Sequence, residues 1–241
     1  MKIFMQEQSA AELPSHNNWL SAAEQDRLHG FRFEKRRADW RLGRWVAKCA
    51  LTSYLERPFD CESLAQIEIR PTPSGAPDVF ICNERNKAAI SLSHRAGVAI
   101  CSLAEPGATV GCDLELAEPR SCAFLSDYFT QGEQRWVASF LPEQRSLVPN
   151  LLWSAKESVL KVLEIGLRAD TRDFEVELGA AAESHVLKQQ TTWSPLTVRG
   201  DEHVFHGWWQ YQCGLFRTVA AQPAPEVPSI LAIPQTACNR F

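Results

Sequence analysis

The chain has 241 residues, of which 45% are hydrophobic and 22% are charged, enough apolar material for one large domain or two small ones. Its net charge of −4 argues against a protein that coats nucleic acid. The N-terminus lacks the apolar core of a signal peptide, no apolar run approaches the roughly 20 residues of a membrane span, and the eight cysteines form no CxxC pair. We therefore expect a cytoplasmic protein with reduced thiols, and neither nucleic acid nor membrane as a partner.

Two helices are predicted in the first quarter of the chain. Ser21 and Glu24 have the spacing of a capping box, and Gly30 is a natural helix stop. A longer helix over 34–55 has small and apolar residues at helical spacing, which indicates a buried face. It also carries a separate basic stripe, formed by Arg37, Arg41, Arg44 and Lys48. Such a stripe is usually solvated, but it could also bind a polyanionic ligand.

Strand-like segments follow this helix, with turn residues between them. They are QIEIRP, DVFIC, AISLS, VAICSLA and TVGCDLE. Thr130 and Glu133 then mark another capped helix start, and a second long helix is predicted over 148–164, stopped at Gly166. The C-terminal third alternates again in FEVEL, SHVLK and GWWQYQCGLFRTVAA before the chain ends in a proline-rich stretch.

The two long helices share a faint sequence echo. WVAKCAL begins at Trp45 and WSAKESV begins at Trp153, so that Trp, Ala and Lys coincide. Strands follow each helix, and we interpret the pattern as a duplicated α/β unit. The predicted organisation is an N-terminal subdomain over 1–108, a C-terminal subdomain with the metal site over 109–221, and a proline-rich tail over 222–241.

Candidate chemistry begins with two carboxylates on one predicted strand. Asp113 and Glu115 are two residues apart, so both side chains point to one face, with Cβ atoms roughly 6.6 Å apart. Two such carboxylates repel each other unless a cation lies between them, and oxygen ligands without His or Cys favour Mg²⁺ or Mn²⁺ over Zn²⁺. The pattern alone is weak, because exposed strands often carry it.

The second long helix strengthens this hypothesis. Trp153, Glu157 and Lys161 share one helix face. If that face meets the strand, Glu157 becomes a third carboxylate beside the metal and Lys161 supplies a cation for a phosphate. The alternative is an exposed Glu–Lys pair, which would stabilise the helix by only about 0.2–0.5 kcal/mol.

His94 follows the strand-like AISLS segment, with Ser93 beside it. A lone histidine at a strand end is more often a satisfied turn residue than a functional one. Its imidazole and the neighbouring hydroxyl could nevertheless bind an anion, so both interpretations stay open.

Three motifs, taken in order, resemble those of the Sfp-type 4′-phosphopantetheinyl transferases. They are ISLSH, VGCDLE and WSAKESVLK. The upstream FRFEKRRADWRLGRWVAK looks like the basic helix of that family, and GLRADTRDFEV looks like its continuation after the second helix, so that the resemblance spans about 31–178. It implies an α+β fold made of a pseudo-twofold pair of similar subdomains, each a mostly antiparallel sheet packed on a long helix.

The resemblance also implies a reaction: transfer of the 4′-phosphopantetheine arm of coenzyme A to a serine of an apo acyl or peptidyl carrier protein, with release of 3′,5′-ADP, by a monomeric enzyme. Asp113, Glu115 and Glu157 would hold Mg²⁺, or Mn²⁺ in its place. Glu157 would also deprotonate the serine, directly or through a water. The residues expected to bind coenzyme A are Arg37, Arg44, Ser93, His94, Lys156 and Lys161, with Lys156 as a helper of Lys161.

One motif departs from the family, and two other functions stay open. The loop that often reads G-K-P in the family is GAP here, so Ala76 stands in place of a lysine that contacts coenzyme A. The first is another Mg²⁺-dependent phosphoryl-centre enzyme, such as a pyrophosphatase or phosphodiesterase. Release of 3′,5′-ADP only in the presence of apo carrier would distinguish the transferase from such an enzyme. A non-catalytic module that binds coenzyme A or carrier proteins would not need a complete metal site.

Overall fold

The computed structural model of the protein describes residues 1–179, 186, 188–190 and 192–233. These residues form two compact units. The N-terminal unit comprises 2–108 with 229–233, and the C-terminal unit comprises Met1 with 109–228. Within the described residues, no helix has both the length and the apolar character needed to cross a membrane. The predicted strand SHVLK lies largely outside the described residues, as does 234–241 of the predicted tail.

The helices of the N-terminal unit follow the local sequence signals. They are α1 (Ala22–His29), α2 (Glu34–Tyr54) and α3 (Cys61–Ala65), with a 3-10 turn at Ala10–Glu12. The Ser21 hydroxyl accepts a hydrogen bond from the Glu24 N–H, and the Glu24 carboxylate accepts one from the Ser21 N–H, both at 3.2 Å. The predicted capping box is therefore confirmed. The α1 helix ends at Gly30, and the bounds of α2 match the prediction to within one residue.

Two sheets complete the N-terminal unit. A four-stranded sheet has the order β12-β1-β6-β5, and a three-stranded antiparallel sheet has the order β2-β3-β4. The strands are β1 (Ile3–Ser9), β2 (Ile67–Pro71), β3 (Pro77–Ile81), β4 (Glu84–Asn86), β5 (Ala89–Arg95), β6 (Val98–Ala104) and β12 (Ser229–Ile230). The α2 helix packs on β1, β5 and β6. Pairing is antiparallel in the larger sheet except between β12 and β1, which run parallel.

The β1 strand and the placement of β12 were not predicted from the sequence. The proline-rich stretch predicted as a tail divides: 222–228 belongs to the C-terminal unit, whereas β12 adds to the sheet of the N-terminal unit.

The basic stripe predicted on α2 is mostly turned into the protein. Lys48 is fully buried, and its ammonium lies 2.6 Å from the Glu24 carboxylate. The same ammonium donates to the carbonyls of Trp19 (3.1 Å) and Leu64 (2.9 Å). Arg41 donates to the Pro14 carbonyl at 2.7 Å. Lys48 and Arg41 therefore bind their own unit, and of the four stripe residues only Arg37 is exposed.

The C-terminal unit contains one five-stranded antiparallel sheet with the order β7-β11-β10-β9-β8. Its strands are β7 (Thr109–Leu116), β8 (Glu175–Leu178), β9 (Ser194–Arg199), β10 (Val204–Gln212) and β11 (Leu215–Gln222). Its helices are α4 (Cys122–Tyr128), α5 (Gln131–Ala138), α6 (Pro142–Arg145) and α7 (Pro149–Val162), with 3-10 turns at Gly166–Arg168 and Thr171–Asp173. The α7 helix packs on β7 and β11, and the capping box at Thr130 and Glu133 is confirmed.

A second buried ion pair lies at the centre of this unit. The fully buried Lys156 ammonium lies 2.7 Å from the Glu133 carboxylate and donates to the carbonyls of Tyr128 (3.1 Å) and Thr171 (2.8 Å). The other Glu133 oxygen accepts the Val176 N–H at 2.9 Å. Burial raises the pKa of Glu133 and lowers the pKa of Lys156, while their mutual attraction opposes both shifts. The pair ties α7 to the start of α5 and to β8.

Gly111 allows α7 to approach β7 closely. A Cβ atom at this position would overlap the Ser158 carbonyl oxygen and lie 3.0 Å from Lys161 Cβ. The glycine of the VGCDLE motif therefore has a packing role, because any side chain there would push the helix away from the strand.

We expect Gly111→Ala to lower the free energy of unfolding by about 1–3 kcal/mol, because the new methyl group meets helix backbone. Gly43→Ala on α2 is the matched control: its Cβ would meet nothing within 4 Å, and a helical Gly→Ala change stabilises by about 0.5–1 kcal/mol. Urea unfolding of both variants provides the measurement. Equal stability of the two would contradict the packing role of Gly111.

Candidate active site

The close contact of β7 and α7 brings Asp113 and Lys161 together. The Lys161 ammonium donates to Asp113 Oδ1 and to the Cys112 carbonyl, each at 2.8 Å. Asp113 is buried, whereas the Lys161 side chain keeps 29% of its surface exposed. Burial acts to lower the pKa of Lys161, but the Asp113 charge and hydrogen bond outweigh it, so this pKa lies above its ordinary value. Lys161 is therefore firmly protonated beside a carboxylate.

Glu157 lies one helical turn before Lys161 and belongs to the same electrostatic group. Burial raises the pKa of Glu157, and the charge of Asp113 raises it further, whereas Lys161 opposes the shift. The two carboxylates are thus close enough to repel each other. This repulsion is what a bound cation would relieve.

Glu115 has a different partner. Its carboxylate lies 3.1 Å from an Arg120 guanidinium nitrogen. Within the described ranges, no group of three or more His, Cys, Asp or Glu side chains has the geometry to hold a metal ion. The predicted set of three carboxylates is therefore arranged as a repelling pair, Asp113 and Glu157, with Glu115 bound to an arginine.

The donor set nevertheless fits a hard cation. Asp113 and Glu157 offer only oxygen atoms, and their repulsion raises the pKa of Glu157. Mg²⁺ is commonly bound through one or two carboxylates together with waters and substrate phosphates, and it does not need a complete protein cage. The described residues therefore suit Mg²⁺ or Mn²⁺ better than Zn²⁺.

Trp153, on the helix face shared with Glu157 and Lys161, has a packing role. Its ring makes edge contacts with Phe124 at 5.3 Å and Tyr128 at 5.0 Å, between ring centroids. These contacts hold α4 against α7. The half-buried Trp153 thus marks the edge of the site without itself carrying an ionisable group.

Lys156 is placed differently from the sequence-based expectation. The resemblance implied that it helps Lys161 to bind phosphate. Its ammonium is instead fully buried and uses its donors on Glu133, Tyr128 and Thr171. A helix rotates by about 100° per residue, so Lys156 points away from the face of its neighbour Glu157. The geometry gives Lys156 a structural role.

A second candidate site lies within the N-terminal unit. It is an open cavity of about 480 Å³. Its lining combines basic, aromatic and acidic side chains: Phe33, Lys35, Arg36, Asp39, Trp40 and His94. His94, at the end of β5, thus faces two basic side chains that the sequence-based prediction did not select. The sequence contained a signal for Arg36, because this residue lies one helical turn before Trp40.

The other residues expected to bind coenzyme A are placed less uniformly. Arg44 lies mostly inside the unit, with its guanidinium 4.7 Å from the Trp40 ring centre and 3.7 Å from the Glu24 carboxylate. Burial lowers the pKa of Arg44 to about 10, an effect that Glu24 partly offsets and Arg27 increases. Arg37 is exposed and Ser93 is half-buried. Arg44 therefore contacts Trp40 and Glu24, and its contact with a coenzyme A phosphate stays a prediction.

The model of the 4′-phosphopantetheinyl transferase superfamily matches residues 109–210. Through this segment the chain is similar to the 4′-phosphopantetheinyl transferase superfamily. The match includes β7 and α7, and therefore the pair of Asp113 and Lys161. It confirms the family resemblance at the level of the superfamily.

A relative from Synechocystis sp. points in the same direction. Its name marks it as a candidate 4′-phosphopantetheinyl transferase, and it is 26% identical over 157 residues. The alignment covers 64% of this chain and 61% of the relative. The chain thus spans less than two thirds of the length of that relative.

The raised pKa of Glu157 predicts a stability effect with a definite sign. The folded protein binds the Glu157 proton more tightly than the unfolded chain, so this group's contribution is fully present below its unfolded pKa and is lost as the pH rises through its folded pKa. We expect Glu157→Gln to melt at a higher temperature than the wild type at pH 8 in EDTA. The difference should vanish near pH 4. A variant that melts lower at pH 8 would contradict the repulsion.

Proposed function

We propose that the protein transfers the 4′-phosphopantetheine arm of coenzyme A to a serine of an apo acyl or peptidyl carrier protein. The match of residues 109–210 to the superfamily model supports phosphopantetheinyl transfer in general. The observation that carries the proposal is the contact of Lys161 with Asp113 beside Glu157, inside the segment that matches the family. A phosphoryl-centre reaction needs this combination of carboxylates, a cation and a base.

In the proposed reaction, the carrier serine oxygen attacks the phosphorus that bears the pantetheine arm. A new P–O bond forms, the bond to 3′,5′-ADP breaks, and the serine proton leaves. Glu157 takes this proton, directly or through a water. A cation bound to the same carboxylate would lower its pKa, and a bridging water would ease that difficulty. Lys161 is partly exposed and firmly protonated, so its ammonium can stabilise negative charge on the phosphate oxygens.

Asp113 and Glu157 would hold Mg²⁺, with Glu115 as the third predicted ligand. The bound cation would neutralise charge on the pyrophosphate oxygens. Asp113 also orients Lys161 through the 2.8 Å hydrogen bond. Loss of Asp113 would therefore remove both a metal ligand and the partner that positions the lysine.

The cavity in the N-terminal unit is proposed to bind the nucleotide end of coenzyme A. Lys35, Arg36 and His94 offer positive or hydrogen-bonding groups to phosphate, and Trp40 offers an aromatic surface. Arg37 is the exposed member of the predicted set and could add a further charge. Ala76 supplies no charge at its loop, so the cavity side chains have to provide more of the positive charge that binds the phosphates.

Other features belong to the same proposal. The enzyme is monomeric and cytoplasmic, and its halves arose by duplication of one α+β unit, with the pseudo-twofold relation that the resemblance implies. The two buried Lys–Glu pairs support the duplication, because each joins a long helix to the capping box of a shorter one.

The first test replaces Asp113 with asparagine, which keeps the shape of the side chain and removes its charge. Incubation with coenzyme A, Mg²⁺ and a panel of apo carriers is followed by intact mass, together with release of 3′,5′-ADP. We expect wild-type protein to add the arm, and Asp113→Asn to lose at least about 100-fold in rate, since a charge in the transition state loses its support. Asp170→Asn, at an exposed Asp–Arg pair, is the matched control.

Release of 3′,5′-ADP without apo carrier would favour a pyrophosphatase or phosphodiesterase. Coenzyme A binding without any transfer would favour a non-catalytic module. Normal transfer by folded Asp113→Asn, with Mg²⁺ still required, would refute the assignment of the site.

The second test concerns the cavity. Arg36→Ala should raise the Michaelis constant for coenzyme A by about two- to fivefold, the effect of one solvent-facing ion contact of about 0.5–1 kcal/mol. The turnover number should stay nearly constant, because the contact is the same in the ground state and the transition state. Arg32→Ala, nearby but outside the cavity lining, is the control. An unchanged Michaelis constant at low salt would indicate that the nucleotide end of coenzyme A binds elsewhere. Arg37 would then be the next residue to replace.

A further inference from the structure

Arg120 contacts residues from three parts of the C-terminal unit, and it lies outside the family motifs quoted above. It lies between β7 and α4, and its guanidinium lies 3.1 Å from the Glu115 carboxylate and 3.8 Å from the Glu118 carboxylate. Its Nε donates to Asn150 Oδ1 at 2.6 Å. The guanidinium also lies 4.9 Å from the Phe124 ring centre. Its backbone N–H donates to the Ser146 carbonyl at 3.0 Å.

Asn150 makes this arrangement rigid. It is fully buried in the first turn of α7, and its amide donates to the Glu118 carbonyl at 2.7 Å and the Leu147 carbonyl at 2.8 Å. Its remaining side-chain atom, Oδ1, accepts from Arg120. The start of α7 therefore fixes the direction of the arginine, and the planar guanidinium transmits that direction to Glu115.

The charges of the neighbouring side chains explain why Arg120 lies beside Glu115. Asp113, Glu115 and Glu157 place three carboxylates on β7 and the facing helix. Lys161 neutralises one of the strand carboxylates and Arg120 neutralises the other. Because Asp113 and Glu115 lie two residues apart, both side chains leave the same face of the strand. An arginine that holds Glu115 therefore holds it on the side of the strand where Asp113 lies.

We propose that Arg120 is a positioning residue for the divalent cation, acting through Glu115, an inference that rests on the proposed function. It fixes the Glu115 carboxylate beside Asp113, so that Glu115 contributes to cation binding directly or through a water. Asn150 positions Arg120 in turn. Supporting residues of this kind typically change metal affinity by about 10- to 100-fold when they are replaced.

The test measures cation binding without the reaction. Free Mn²⁺ is titrated by electron paramagnetic resonance against wild-type protein, Arg120→Gln, Arg120→Lys and the control Arg172→Gln, an exposed arginine paired with Asp170. We expect Arg120→Gln to weaken Mn²⁺ binding about tenfold. Arg120→Lys should recover part of the loss, because lysine keeps the charge but not the fork that reaches both Asn150 and Glu115. The control should bind like wild type.

A double-mutant cycle separates positioning from general stabilisation. If Arg120 acts through Glu115, then Arg120→Gln should change Mn²⁺ affinity little in a Glu115→Gln background. The Mg²⁺ concentration for half-maximal arm transfer is the second measurement and should shift by the same factor as the Mn²⁺ affinity. Urea unfolding of each variant reports whether the fold is retained, and a purely structural arginine would lower stability without changing either metal measurement.

The outcomes distinguish this inference from the proposed reaction. Unchanged or tighter Mn²⁺ binding by folded Arg120→Gln, with an unchanged Mg²⁺ requirement, overturns the role of Arg120 alone. Weakened Mn²⁺ binding together with no transfer to any apo carrier supports Arg120 and overturns the reaction. A wild type that neither binds Mn²⁺ nor transfers the arm overturns both.

Discussion

The fold of the C-terminal unit depends on the buried ion pair of Lys156 and Glu133. Both side chains are almost completely enclosed, so each needs the other, and removal of one partner of such a pair typically costs about 3–5 kcal/mol. The ammonium also satisfies two backbone carbonyls, and the carboxylate caps α5 and holds β8. This set of contacts fixes the rotation of α7 about its own axis. The direction of the site face, with Glu157 and Lys161, follows from that rotation.

The N-terminal unit repeats the same device without the chemistry. Lys48 contacts Glu24 of the Ser21 capping box, and the second Glu24 oxygen accepts the Ile69 N–H at 3.3 Å, as its counterpart does with Val176. The offset of 108 residues that joins Trp45 to Trp153 also joins Lys48 to Lys156. At that offset, Glu157 corresponds to Cys49 and Lys161 to Ser53, while Asp113 corresponds to Met5. The shared part is therefore the scaffold, and of these corresponding positions only those in the C-terminal unit carry the ionisable groups of the candidate site.

Local signals made much of this structure predictable. The bounds of α2 and α7 and both capping boxes follow from helical periodicity and from Ser or Thr three residues before Glu. The β1 strand was missed because three polar residues, Gln6, Glu7 and Gln8, follow its apolar start. Gln6 and Gln8 are nevertheless buried, and Gln8 accepts the Trp45 Nε1–H at 3.0 Å. Burial of Lys48 and Lys156 depends on glutamates more than twenty residues away, so no local pattern indicates it. The role of Arg120 was not predicted for the same reason, because its partner Asn150 lies on another element.

Solvent exposure separates two lysines that occur in one short motif. Lys156 and Lys161 both pair with a carboxylate at less than 3 Å. Release of the fully buried Lys156 from Glu133 would leave two desolvated charges, so this pair can serve only the fold. Lys161 keeps 29% of its side chain exposed, so water or a phosphate can reach its ammonium while Asp113 remains its partner. A charge pair can take part in binding only when one of its members can reach a ligand, and in WSAKESVLK that condition holds for the second lysine and not for the first.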